Sequence, residues 1–187
     1  MEFSIDKVKE LITDTENNVS IVGAMSDEIV NTYTEHLDEV MTNINREVIM
    51  KNNTNDEILQ KYFLELSNVM YFISSRSEFL GLFDDISKSN AKLAYNEAFA
   101  QNQAKAELEG KKSKPTVAEN QIYAENNTIN ETLTNNIYSR SFKIVKAKVD
   151  AGWEMLKTLS KVLGARAYQK DYSDKFTAAA NFNDNAF

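Results

Sequence analysis

The chain has 187 residues, of which 42% are hydrophobic, enough for one domain with a core or one small domain with an extended hairpin. It contains no cysteine, which excludes disulfides and thiolate metal sites. The net charge of −7 argues against a protein that binds nucleic acid over its whole surface. Only five glycines and one proline are present, so we expect long elements with few turns.

The charge is distributed unevenly along the chain. Residues 1–87 contain 6 basic and 17 acidic side chains, whereas residues 88–187 contain 15 and 11, and residues 140–170 contain 8 and 2. Such asymmetry can mark a site for an anionic partner. The alternative is a pair of solvated helix faces of opposite sign, complementary between subunits. The N-terminus lacks a secretory signal, and no apolar run approaches the length that spans a bilayer, so we expect a cytoplasmic protein, in the host cytoplasm if viral.

Helical periodicity begins near the N-terminus. Residues 4–18 are predicted to form a short helix, followed by an apolar connector at Val19–Met25 in which the chain reverses at Gly23. Ser26 is predicted to cap a second helix that ends near Lys51. The apolar stripe of that helix has steps of three and four residues throughout.

A third helix is predicted after a capping box formed by Thr54 and Glu57. Its pattern predicts a kink at Gly81 and an interruption at Asp84 and Asp85. Large rings occur on several of its faces, from which we expect burial on more than one side. These rings are Tyr62, Phe63, Tyr71, Phe72, Phe79 and Phe83.

The middle of the chain predicts a helical hairpin. Small side chains at Ala91, Ala94, Ala98, Ala104 and Ala106 would let a neighbouring helix approach closely. The only proline lies in the basic turn Gly110–Pro115, and Thr116 and Glu119 then form a second capping box. The last helix is predicted from Val117 to about Gln169.

The predicted class is therefore all-α, a helical bundle with a long antiparallel hairpin whose basic turn is 110–115. We predict three regions: an acidic N-terminal helical region at 1–87, the hairpin at 88–170, and an acidic, aromatic tail at 171–187.

Catalytic and metal-binding patterns are lacking. His36, the only histidine, lies among acidic residues, but a di-iron bundle requires histidines from two helices. With one histidine as the only candidate base, a nucleophilic triad is also not supported. The turn Gly110–Ser113 is not a phosphate loop, because it lacks the first glycine at the required spacing and a preceding strand. We therefore predict no enzymatic activity, no metal and no cofactor.

Two basic clusters are candidates for contact with phosphates. Lys111, Lys112 and Lys114 on the turn are point charges suited to phosphate contact without sequence readout, and the alternative is a turn kept soluble by charge. The second cluster lies on the last helix, where interleaved aromatic residues Tyr138 and Phe142 would stack exposed bases, unless they face the core. It comprises Arg140, Lys143, Lys146 and Lys148.

Residues 73–172 resemble phage recombination mediators of the UvsY type. The resemblance rests on Ala91–Tyr95, Lys105–Lys111, Trp153–Lys157 and Arg166–Tyr168. It implies a homo-oligomer that binds single-stranded DNA and helps to load a recombinase. It also implies that Lys105, Lys111, Lys112 and Lys114 contact DNA. The partners expected beside the DNA are a recombinase or a single-strand-binding protein.

The predicted function is thus a non-catalytic phage protein that binds single-stranded DNA as a recombination accessory. The alternative is a protein–protein interaction module, an assembly subunit or a host-factor inhibitor, whose acidic region mimics or masks nucleic acid.

Overall fold

The structure is a computed structural model that describes residues 5–51, 55–109 and 114–184, with side chains described for residues 16–51, 55–109 and 114–173. These residues form an all-α helical bundle and contain no strand, as predicted. Its α-helices are α1 (Ile5–Ile44), α2 (Asp56–Leu108), α3 (Val117–Asn127) and α4 (Ile129–Asp184), and a π-helical segment, Asn45–Met50, follows α1.

The predicted break after the first helix is wrong, because α1 continues through Gly23 without interruption. A glycine inside a helix costs only about 1 kcal/mol relative to alanine, and neighbouring contacts override that preference. Ser26 is not a helix cap: it is fully buried, and its hydroxyl donates to the carbonyl oxygen of Ile137 at 3.3 Å. The Ser141 hydroxyl donates to the same Ile137 carbonyl at 2.8 Å and lies 3.5 Å from the Ser26 carbonyl oxygen. The serines therefore mark a close approach of α1 and α4.

Helix α2 also lacks the predicted interruption. Gly81 lies where a methyl group would be 3.1 Å from the Phe142 ring, so the glycine admits that ring. Asp84 is buried, and its carboxylate accepts hydrogen bonds from Ser139 and Lys88. At the start of α2, Asn55 accepts a hydrogen bond from the Glu57 backbone at 2.8 Å. The predicted partner of Glu57, Thr54, lies outside the described residues.

The hairpin is present, but its return arm is two helices instead of one. The chain leaves helical geometry at Thr128, with φ −121° and ψ 21°. The Thr128 hydroxyl donates to the Ala124 carbonyl at 2.9 Å, a local side-chain bond of the kind that competes with helix hydrogen bonding. Helix α4 then runs to Asp184, beyond the predicted end at Gln169.

The chain packs as two compact units that are not consecutive in sequence. Unit 1 comprises residues 1–33 and 75–146, and unit 2 comprises residues 34–74 and 147–187. Each unit takes a portion of α1, α2 and α4, because long helices that pack side by side bring together segments distant in sequence. The sequence regions 1–87 and 88–170 are accordingly each divided between both units.

The core of unit 1 mixes aliphatic and small side chains with many polar ones. Asn102 donates from its side-chain amide to Asn120 Oδ1 at 2.7 Å, which joins the two arms of the hairpin. Ala98 and Ala106 are buried, as expected for small residues that admit a close neighbour. Buried polar side chains accompany them at Ser26, Ser77, Asp84, Ser87, Asn120, Thr128 and Ser141.

The core of unit 2 is aliphatic. Gly152 allows α4 to approach closely, since a methyl group there would lie 2.5 Å from Met70 Sδ and 3.3 Å from Leu37 Cδ1. The large side chains at 2% exposure or less are Leu37, Val40, Ile44, Leu59, Leu66 and Met70.

Candidate nucleic-acid interface

The hairpin end is framed by the predicted capping box at the start of α3, which is confirmed. The Glu119 backbone N–H donates to Thr116 Oγ1 at 3.3 Å, and the Thr116 N–H donates to Glu119 Oε2 at 2.8 Å. Pro115 precedes this cap, where its missing N–H removes no helix hydrogen bond. The return of the chain is therefore fixed by local chemistry.

A groove of about 570 Å³ lies between the two arms at this end. Its lining includes Lys105 and Lys114, two residues of the predicted site, and also Glu109 and Glu119. Lys114 pairs with Glu107 at 3.0 Å on the surface. The described part of the groove therefore carries balanced charge. Lys111 and Lys112, the other predicted residues of the turn, lie outside the described residues.

The second predicted cluster is presented on α4 in unit 1. Arg140, Lys143 and Lys146 are exposed and spaced at three-residue intervals. Arg140 lies 3.9 Å from Asp27, a long and solvated pair. No acidic side chain among the described residues pairs with Lys143 or Lys146. Two unneutralised ammonium groups one turn apart can contact neighbouring phosphates.

The aromatic residues between these cations are turned toward the protein. Phe142 packs against Gly81, with the Lys146 ammonium 5.9 Å from the ring centroid. Tyr138 stacks on Phe83 with centroids 5.6 Å apart and an angle of 19° between the rings. Both rings are half-buried in these contacts. The structure therefore favours the alternative that Tyr138 and Phe142 face the core over the prediction that they stack on exposed bases.

Lys148, the fourth residue of that cluster, belongs to unit 2 and has a structural environment. Its ammonium group donates to the carboxylate of Asp38 and to Thr34 Oγ1 at 3.1 Å. Thr34 is fully buried and donates to the same carboxylate at 2.8 Å. A lysine held by two partners on α1 is poorly placed to contact phosphate.

The single histidine lies on the surface beside an acidic side chain. His36 is exposed, with Nδ1 3.6 Å from Glu39. The described residues contain no group of three histidine or acidic side chains arranged to hold a metal ion. Farther along α4, a hydrogen bond from Lys157 lowers the pKa of Glu154, so that lysine is engaged by a neighbour.

A surface that the sequence interpretation missed lies on α2. The rings of this helix were expected to be buried on several sides, and that expectation is wrong for most of them. Tyr62 is buried, but Tyr71, Phe72, Phe79 and Phe83 are at least 46% exposed. The seven-residue spacing of Phe79, Ile86 and Leu93 was a signal that could have identified an outward-facing stripe.

Comparison with protein-family models, curated proteins and solved structures gives no match for this chain. Within the described ranges, no helix is long and apolar enough to cross a bilayer.

Proposed function

We propose that the protein is a non-catalytic phage accessory protein that binds single-stranded DNA through α4 of unit 1 and assists recombination. The observation that carries the proposal is the exposed row of Arg140, Lys143 and Lys146, in which Lys143 and Lys146 have no acidic partner among the described residues. Exposed cations on a helix surface contact phosphates without reading sequence, as binding to arbitrary single strands requires. The resemblance to recombination mediators supplies the biological setting.

The turn is the second part of the proposed DNA surface. Lys105 and Lys114 line the groove at the hairpin end, next in sequence to Lys111 and Lys112. Since Glu107, Glu109 and Glu119 offset the two described lysines, this end contributes to DNA affinity only through Lys111 and Lys112. Arg140, Lys143 and Lys146 therefore form the principal site, and Lys148 is left out of it.

The test is fluorescence anisotropy with labelled oligo-dT over a series of salt concentrations. Each phosphate contact on a single strand contributes about −0.7 to the slope of log affinity against log salt. Arg140→Ala/Lys143→Ala/Lys146→Ala should therefore reduce that slope by about 2. Lys157→Ala/Lys161→Ala/Lys170→Ala removes the same charge from α4 in unit 2 and should leave the slope nearly unchanged.

Two further results decide between the parts of the proposal. If Lys111→Ala/Lys112→Ala/Lys114→Ala leaves oligo-dT affinity unchanged, the turn is purely structural. Absence of binding by the unaltered protein at low salt would refute DNA binding altogether.

A second candidate function, a protein–protein interaction module, is favoured by the exposed apolar side chains of α2. Phe79, Leu82 and Ile86 are each more than half exposed on one helix. Exposed apolar patches larger than a few hundred Å² commonly mark interaction sites. A partner retained from host lysate after nuclease treatment, by a protein that fails to bind oligo-dT, would favour this function.

A further inference from the structure

The apolar stripe of unit 1 on α2 consists of Phe79, Leu82, Phe83, Ile86 and Leu93. Their side chains are 46–62% exposed, although they are among the most apolar in the chain. Phe79, Ile86 and Leu93 are seven residues apart, and Leu82 lies between two of them, which is the a and d spacing of a coiled-coil seam. A stripe with this period fits the surface of another helix.

We infer that this stripe is the contact between two copies of the chain, arranged as an antiparallel helix pair with its twofold axis near residue 84. In that register, Leu82 of one copy packs against Ile86 of the partner subunit, and the reverse contact follows by symmetry. Phe83 meets Phe83 of the partner subunit beside the axis. A groove of about 410 Å³ borders Phe79 and Phe83 and leaves room for an incoming ring.

Charge complementarity selects a second copy of this chain in this orientation. Glu78 and Lys92 are exposed on the flank of the stripe, seven residues on either side of Asp85. In an antiparallel pair these flanking positions face each other, so Glu78 lies opposite Lys92 of the partner subunit, twice per dimer. Neither side chain has an ion-pair partner among the described residues. Asp85 meets its own copy at the axis, a repulsive element that weakens the pair.

The area of the stripe is consistent with a moderate dimer. A large apolar side chain has roughly 200 Å² of surface, so half exposure leaves about 100 Å² on each of the five residues. Two copies would bury about 1,000 Å² through these residues alone, the lower limit for a specific interface. We therefore expect a monomer–dimer equilibrium in the micromolar range, independent of DNA binding.

Sedimentation velocity of the full chain tests the interface. The unaltered protein should form a dimer at tens of micromolar, and Leu82→Glu/Ile86→Glu should weaken dimerisation by at least about tenfold. Leu108→Glu adds a charge at an exposed leucine of the same helix outside the stripe and should leave the dimer intact. A monomeric protein, a larger oligomer, or a dimer insensitive to Leu82→Glu/Ile86→Glu would overturn the inference.

Charge exchange and cross-linking test the register. Glu78→Lys or Lys92→Glu alone should weaken the dimer several-fold, and the double exchange should restore it. Because the chain has no cysteine, single cysteines report proximity directly. Asp85→Cys should form an intermolecular disulfide, whereas Asn90→Cys should not, because its two copies lie about 18 Å apart along the axis at 1.5 Å per residue. Equal cross-linking of both would exclude this register.

Discussion

The two units differ in the polarity of the side chains that they bury. Seven of the eight buried polar side chains among the described residues lie in unit 1, where Ser77, Asp84 and Ser87 face inward from α2. In unit 2 the same helix buries Leu59, Leu66 and Met70. Unit 2 therefore has an aliphatic core, whereas unit 1 combines buried aliphatic side chains such as Leu80 and Val145 with most of the buried polar ones.

This difference shows that the sequence of a helix does not alone determine which of its faces is buried. In unit 1, α2 turns polar side chains toward its neighbours, for example the Asp84 carboxylate, which accepts a hydrogen bond from Ser139 on α4. The small side chains permit close backbone approach, but they contribute little area to the hydrophobic effect. We expect unit 2 to be the more stable core and unit 1 to be the recognition surface.

The largest expected effect comes from the core of unit 2. Leu66→Ala should lower the free energy of unfolding by about 2–5 kcal/mol, because Leu66 is fully buried and its removal leaves a cavity. Urea denaturation provides the measurement. Leu64→Ala, two residues away and 67% exposed, should cost less than about 1 kcal/mol. Equal effects at the two positions would remove the basis for calling this face a core.

The polar core of unit 1 is tested at the asparagine pair. Asn120 is 1% exposed, and its Nδ2 has no hydrogen-bond partner among the described residues, so the amide depends on the bond from Asn102. Asn102→Leu should cost about 1–3 kcal/mol, because it leaves the buried amide without that bond. Asn102→Leu/Asn120→Leu should be at least as stable as Asn102→Leu alone in urea denaturation. Additive losses would show that the pair is not coupled.

Close helix approach in unit 2 is tested at Gly152. Gly152→Ala should destabilise by about 1–2 kcal/mol in thermal denaturation, since the new methyl group meets Met70 and Leu37 in a filled core. Gly164→Ala is the matched control, because a methyl group there has no neighbour within 4 Å. It should stabilise by about 0.5–1 kcal/mol through helix propensity. The same sign for both substitutions would contradict the packing account.

The smallest expected effect lies at the hairpin end of unit 1. Thr116→Ala removes the hydroxyl that accepts the Glu119 N–H and should cost about 1 kcal/mol. Amide hydrogen exchange should show faster exchange confined to the first turn of α3. Thr134→Ala, at an exposed position inside α4, should leave the exchange of α3 unchanged.

The hairpin was predictable because its signals are local. Pro115 and the Thr116–Glu119 capping box act within four residues, and the structure confirms them. The continuity of α1 through Gly23 and the break at Thr128 were not predictable in the same way. Both depend on small local preferences, of about 1 kcal/mol, that packing against other helices overrides or reinforces.

For the candidate DNA site, the sequence identified the basic residues but not which of them are free to contact DNA. The sequence placed Lys148 with Lys143 and Lys146, but the structure engages it with Asp38 and Thr34, more than a hundred residues away. Interleaved aromatics predicted stacking platforms, yet Tyr138 and Phe142 contact α2. Whether a side chain is free to contact DNA depends on partners that are distant in sequence, and spacing along one helix does not reveal those partners.

The all-α class and the capping box at the start of α3 follow from the sequence alone, because periodicity and capping are short-range properties of the chain. The neighbouring helices determine where α2 buries serines and an aspartate beside its leucines, and which lysines remain available. The reason is that the burial of a helix face depends on the complementary surface of its neighbours.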